Sequence, residues 1–156
     1  MNKMCSKAIE EFLNDNNNNI VFKSANKCVI VLRRTDNTET NEKRDNVVDK
    51  RYAKYRGSEF LVIAIIYKFT GEKRNEVYNS YYKDKKMLYK QGEIIRVDDF
   101  DINLDKICAP GIHYFRDHEA AFYYELDKVD NGEYKSWYKN GQLRDQYIYL
   151  NGKLVE

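Results

Sequence analysis

Residues 60–67 read Phe60-Leu61-Val62-Ile63-Ala64-Ile65-Ile66-Tyr67, and this octet decides how the rest of the chain is read. Eight apolar residues in a row, three of them isoleucine, suit a β-strand that is buried on both faces and so lies at the centre of its sheet. The run is far short of the roughly 18 to 20 residues that a membrane helix needs. It predicts one core, built on this strand.

Working outward, Ile20 to Phe22 and Cys28 to Leu32 are β-branched and apolar on either side of a polar turn around Ala25 and Asn26, the pattern of a strand pair. Before them, Ala8, Ile9, Phe12 and Leu13 recur at helical spacing, which predicts a short helix capped by Ser6 and ending at Asn14 to Asn19. Thr35 to Asn46 has no apolar side chain and is expected to be a mobile loop that buries nothing. Downstream, Val77 to Tyr82 and Met87 to Tyr89 flank a charged turn, Lys83 to Lys86, and Gly92 leads into Glu93 to Val97, all expected as antiparallel strands. Ile112 to Phe115 is a further strand, followed by Asp117 as a helix cap and a helix over Glu119 to Leu126. The fold class expected is α+β, a mostly antiparallel sheet with two short helices.

The end of the chain differs in style. Asn131-Gly132, Asn140-Gly141 and Asn151-Gly152 are three Asn-Gly pairs, a dipeptide that supplies the positive φ values of type I′ hairpin turns. Tyr134, Trp137, Tyr138, Tyr147 and Tyr149 lie between them, so residues 129–156 are expected to form a β-hairpin meander packed on a domain of residues 1–128.

At 156 residues the chain has the length of one ordinary domain, and 27 Lys and Arg against 25 Asp and Glu leave no strong field to draw nucleic acid. A nucleic-acid binder would need the fold to gather Arg33, Arg34, Lys50, Arg51, Lys54 and Arg56 on one face. The surplus of Asn, Lys, Tyr and Ile is what A/T-rich codons supply. Three scattered cysteines and no apolar leader predict reduced thiols in an intracellular, non-secreted protein without membrane partners.

Cys108, His113 and His118 stand five residues apart and invite a zinc reading, but a strand and a helix start aim the two histidines differently and no fourth ligand is near. Cys108 is therefore expected as a small buried residue and His113 as an internal hydrogen-bonding group. Asp98, Asp99, Asp101 and Asp105 lack the glycine and final glutamate of an EF-hand loop and are expected as a solvated turn. No catalytic residue, cofactor or metal site is assigned. Tyr78, Tyr81, Tyr82, Tyr123 and Tyr124 are expected mostly as packing. The hairpin residues Tyr134, Trp137, Tyr138, Tyr147 and Tyr149 are the candidate interface, with a homodimer as the partner state.

Three resemblances bear on function. Gly132, Tyr134, Trp137, Tyr138, Asn140, Gly141 and Leu143, then Tyr149, Asn151 and Gly152, resemble about one and a half MORN repeats, which implies paired hairpins and no particular ligand. The succession CVIVLRR, YAKYRG, YKQGEIIRVDDFD and CAPGIHYFRDHEAAFYY resembles an uncharacterised domain of giant DNA viruses of the mimivirus lineage, which implies a viral protein working in the host cytoplasm or virion. PGIHYF followed by a helix and FYY is similar to the strand and helix of ADP-ribosyltransferases, which implies an NAD cleft beside Gly111 to Phe115. The early His and late catalytic Glu of that family find no counterpart here. The expectation is thus a non-enzymatic viral protein acting through protein contacts or as a virion component, with the transferase and the nucleic-acid binder as alternatives.

Overall fold

The computed structural model describes residues 1–14, 18–79 and 87–156. Helix α1 (Lys3–Glu10) starts one turn earlier than Ser6 would place it, because Asn2 caps it by accepting the Cys5 N–H at 2.8 Å. Asn is as good a cap as Ser. The shift sets Cys5 and Ile9, one turn apart, fully buried against the sheet.

Strands β1 (Ile20–Ala25) and β2 (Cys28–Arg33) form the expected pair, joined through Asn26 and Lys27 at φ 44° and 63°. That is a type I′ turn made without glycine. β3 (Lys54–Gly57) is followed by β4 (Glu59–Tyr67), which contains the apolar octet, and β4 pairs with β2. Then come β5 (Lys73–Arg74), β6 (Glu76–Tyr78), β7 (Leu88–Lys90), β8 (Ile94–Arg96) and β9 (Ile112–Phe115). Tyr81, Tyr82 and the expected turn Lys83 to Lys86 lie outside the described residues.

The main sheet runs β3-β9-β1-β2-β4, all antiparallel, and curls into a half-barrel. The far edge of β4 is shared by β8 along its first half and β5 along its last. A bulge sets Val31 opposite Ala64 but Leu32 opposite Val62, so one extra residue, Ile63, switches the faces of β4 midway. Phe60, Val62 and Ile65 therefore join one core layer with Ile30, Leu32, Tyr55 and Tyr114, covered by the β6–β7 ribbon through Tyr89. Ala64 and Ile66 join the other with Val29, Val31, Phe22 and Phe115 under the helices.

Asp117 caps α2 (His118–Tyr123) as expected, its carboxylate accepting the Glu119 N–H at 2.8 Å. The helix ends short of Leu126 because Tyr124 is already extended at ψ 134°, and Glu125 then turns to φ 68°. The rest of the chain forms a separate three-stranded sheet, β10 (Gly132–Trp137), β11 (Leu143–Leu150) and β12 (Lys153–Leu154), so the meander has the strand content its aromatics and turns foretell. Only Asn151-Gly152, at φ 51° and 75°, is a type I′ turn. At Asn140-Gly141 only the glycine is left-handed, in a longer loop closed by the Gly141 N–H on the Tyr138 carbonyl, and Asn131-Gly132 merely leads into β10.

Residues 35–46 correct the expectation of a loop that buries nothing. Asn41 and Arg44 are 1% and 6% exposed, and Thr38 donates to the Glu59 carbonyl at 2.7 Å. Asn41 Oδ1 accepts the Arg56 N–H, and Arg44 reaches the Lys54 and Lys139 carbonyls. Polar residues can be buried when each polar atom finds a partner. Among the described residues no helix is long and apolar enough to cross a membrane.

Candidate functional site

The weak seam of the half-barrel lies between β1 and β9, whose register is the single pair Phe22↔Phe115. Where the strands part, Lys23 spans the gap by donating from Nζ to the His113 carbonyl at 3.0 Å. A cleft of about 250 Å³ opens there, with Lys23, Lys54, Cys108, His113, Tyr124 and Lys139 on its walls. Each arrives from a different element. Lys54 is paired with Phe115 across β3 and β9 and donates to Tyr124 Oη at 2.8 Å. Lys139 comes from the tip of the C-terminal hairpin, and Cys108 from the long loop before β9.

That loop is organised by Arg56, a fully buried residue of β3. Its guanidinium donates to the Lys106 carbonyl at 2.7 Å and to the carbonyls of Asp101, Asn103 and Pro110, and packs over Phe100 at 5.0 Å. The fork geometry of guanidinium suits several carbonyls at once.

Among the described residues the charges of the cleft are mostly positive. Burial and the neighbouring Lys54 hold Lys23 at about 8, well below the usual lysine range. Burial also holds Lys68 at about 8; its Nζ donates to Ser24 Oγ and the Tyr124 carbonyl, both at 2.7 Å, behind the cleft wall. Burial first, then Lys54 and Lys23, push His113 down to about 4, so its imidazole is neutral near pH 7. Its Nε2 lies 3.0 Å from the Ile107 carbonyl, which assigns the proton to that nitrogen. Among the described residues the one carboxylate on this wall is Glu125. Cys108 is exposed, not buried as expected, because the loop turns its side chain out to Lys139, whose Nζ lies 2.9 Å from Sγ and lowers the thiol pKa. The buried thiols are Cys5 and Cys28.

A second cavity of similar size adjoins the first at Asn79, Cys108 and His113, and its other walls include Met87, Val97, Pro110 and Gly111. The Gly111 to Phe115 stretch does line a cleft.

The remaining candidates are scattered. His118 packs edge-on against Phe22 at 5.8 Å and lines a different cavity from Cys108 and His113. Among the described residues no three His, Cys, Asp or Glu side chains gather as a metal site. Asp101 accepts the Asn103 N–H at 2.9 Å and pairs with Lys106 at 3.1 Å, and these bonds, the first above all, lower its pKa. The six cations named for nucleic acid share no exposed face: Arg56 is enclosed, Arg34 pairs with Glu42, and Lys54 lines the cleft.

Among the hairpin aromatics, Tyr134 is buried edge-on to Tyr123 at 5.9 Å and donates to the Leu126 carbonyl at 2.8 Å. Trp137 lies flat on Tyr52 at 4.7 Å. Tyr149 is half-buried beside Tyr134. Tyr138 and Tyr147 are exposed.

Lys23, Lys54, Lys139 and Arg56 were not legible as a site. The one local signal was a lysine inside an apolar strand, Ile20-Val21-Phe22-Lys23. Its depressed pKa makes a prediction. Between about 8 and the usual 10.5 the unfolded chain holds a proton that the folded chain has released, so the cost of burying Lys23 is full below about 8 and fades as pH rises to 10.5. That cost is on the order of 3 kcal/mol, offset by the bond to the His113 carbonyl. Lys23→Met is expected to exceed the wild type in urea stability by about 1 to 3 kcal/mol at pH 7, and the margin should shrink at pH 10. A margin unaffected by pH would contradict the assignment.

The sequence model of a Family of unknown function (DUF5758) matches residues 9–121, from within α1 into α2 and short of the C-terminal sheet. No curated protein and no solved structure matches the chain.

Proposed function

Since the chain belongs to the Family of unknown function (DUF5758), its role has to be argued from its own surfaces, and we propose that it is a non-enzymatic contact module that self-associates through its C-terminal sheet. One observation carries this reading. Of the fourteen exposed large apolar side chains among the described residues, six lie between Tyr138 and Val155: Tyr138, Leu143, Tyr147, Leu150, Leu154 and Val155. Scattered apolar residues need no explanation, but a concentration on one small sheet marks a contact surface.

The register sets Leu154 on the face of Tyr149 and Leu150 on the opposite face, so the contact proposed runs along the sheet's outer edge. β12 pairs with only Tyr149 and Leu150 of β11, so the outer edge of β11 over residues 143–147 has no strand partner among the described residues. Such an edge accepts another strand. A second copy is the occupant favoured, because an edge offered by both copies closes a two-fold pair. Residues 132–156 carry four Lys and Arg against three Asp and Glu, too balanced for two copies to repel. Tyr147 belongs to this surface, with Tyr138 near it. Tyr134, Trp137 and Tyr149 serve it by holding the sheet to the domain.

The paired strands and their aromatics support a MORN-like identity for the sheet. The resemblance of residues 21–124 to a domain of giant DNA viruses supports a viral protein of the host cytoplasm or the particle.

Light scattering tests the contact. The monomer mass is 18.7 kDa, and the wild type is expected to approach twice that with rising concentration while Leu150→Lys with Leu154→Lys stays monomeric at unchanged stability. A wild type that stays at 18.7 kDa throughout would remove self-association.

A further inference from the structure

We propose that Asn140 is a gated modification site: the docked hairpin tip protects its side-chain amide, and release of the tip lets it deamidate to isoaspartate, which keeps the tip from docking again. Asn-Gly is the dipeptide in which this chemistry runs most readily, because glycine has no Cβ to keep its nitrogen away from the asparagine Cγ. The Gly141 nitrogen gives up its proton and bonds to Asn140 Cγ while ammonia leaves, which closes a succinimide ring. Water then opens the ring, mainly so that the main chain runs through the former side chain as isoaspartate. No oxidant or reductant takes part.

The docked tip restrains each group that this ring closure needs. The Gly141 N–H donates to the Tyr138 carbonyl at 2.9 Å, and Asn140 Oδ1 accepts the Gln142 N–H at 2.9 Å. The Asn140 carbonyl accepts the N–H groups of Val48 and Asp49, and Gly141 is buried against the Asp49 backbone. Bringing Gly141 nitrogen onto Asn140 Cγ requires rotation of the peptide unit between them, so it waits for local opening of the tip.

The pair at the other end of the sheet is held differently. The Gly152 N–H donates to the Asp130 carbonyl at 2.8 Å, and the Asn151 N–H to Asn131 Oδ1 at 3.0 Å. Those bonds do not involve residues 48–54, so gating by docking belongs to Asn140.

Isoaspartate does not fit the dock. The carbonyl that accepts Val48 and Asp49 leaves the main chain as a free carboxylate, and the lengthened chain displaces Gly141 from a seat where a Cβ would already lie 2.1 Å from the Asp49 oxygen. Aspartate, the lesser product, keeps the main chain and the oxygen that accepts Gln142. None of this depends on what the outer edge of β11 meets.

Peptide mapping by mass spectrometry tests the gate, with the full chain incubated in mildly alkaline buffer and, in parallel, in the same buffer with unfolding urea. Conversion at Asn140 is expected to be at least about tenfold slower in the folded chain, since only the undocked fraction reacts. Arg44→Met takes a charged donor from the Lys139 carbonyl and should raise conversion at Asn140 about tenfold, with Asn151 unchanged. Chains converted to isoaspartate should show red-shifted Trp137 emission, whereas Asn140→Asp should keep the wild-type spectrum. Equal conversion at Asn140 in the folded and unfolded chain, or an equal rise at Asn140 and Asn151 in Arg44→Met, would overturn docking as the gate. Wild-type emission from the isoaspartate chains would overturn the block on docking again.

Discussion

Gly141→Ala is expected to release the C-terminal sheet from the body of the protein. The hairpin tip docks by backbone: the Asn140 carbonyl accepts the N–H groups of Val48 at 2.8 Å and Asp49 at 3.2 Å. The Lys139 carbonyl accepts the Lys54 N–H at 3.0 Å and Arg44 Nη2 at 2.7 Å. Gly141 sits at φ 89°, and a Cβ there would lie 2.1 Å from the Asp49 carbonyl oxygen and 3.0 Å from the Ala53 nitrogen. Those are backbone atoms and cannot swing aside. The left-handed conformation costs an alanine about 1 kcal/mol, and moving the tip forfeits bonds worth about 1 kcal/mol each. A loss of roughly 3 to 5 kcal/mol follows, at the high end for one substitution. Trp137, the single tryptophan, reports it, because undocking takes its ring off Tyr52 and should shift its emission to the red. Wild-type fluorescence and wild-type urea midpoint in the variant would show that the tip is not held as described.

Arg56→Met is the second large effect expected. The guanidinium is the common donor for four carbonyls of the loop between β8 and β9, and the methionine would fill the space but leave those carbonyls without it. Buried acceptors stripped of a charged donor cost about 1 to 3 kcal/mol each when no water reaches them. Partial relief by loop opening leaves roughly 3 to 5 kcal/mol overall. Amide exchange over residues 98–111 should accelerate, and Cys108, no longer held beside Lys139, should react at the rate of an ordinary exposed thiol. Arg56→Lys should recover little, since an ammonium cannot span the four acceptors. Full recovery with lysine would mean that charge, not the fork, holds the loop.

What was legible in the sequence follows a physical line. β4, the β1–β2 hairpin and the Asp117 cap of α2 are local patterns, and local patterns survive folding when burial agrees with them. β3 was missed because Lys54-Tyr55-Arg56-Gly57 has no strand signature of its own and is recruited by β9. Two of the three Asn-Gly pairs do not make the tight turn their composition suggests, since the loop over Tyr138 to Gln142 is shaped by docking onto residues 48–54. The loop 35–46 looked unburiable because burial was equated with apolar character, whereas Asn41 and Arg44 are buried as hydrogen-bonding staples. Cys108 was misplaced for a related reason: its exposure is set by Arg56, fifty-two positions away.

The candidate cleft was barely legible. Lys23, Lys54 and Lys139 are separated by 31 and 85 residues, and no spacing rule joins them. Only the oddity of Lys23 within an apolar strand pointed there. The hairpin aromatics proposed as a contact surface are contiguous in sequence, although which of them face inward depends on the residues beneath, with Tyr134 buried and Tyr138 and Tyr147 exposed.

Hydrogen exchange at two protein concentrations tests self-association through the C-terminal sheet most directly. The amides of residues 143–147 should exchange more slowly in the concentrated sample, while those of β2 and β4 stay the same in both. Equal exchange over residues 143–147 at low and high concentration would contradict the contact through β11, whatever mass the protein showed in solution.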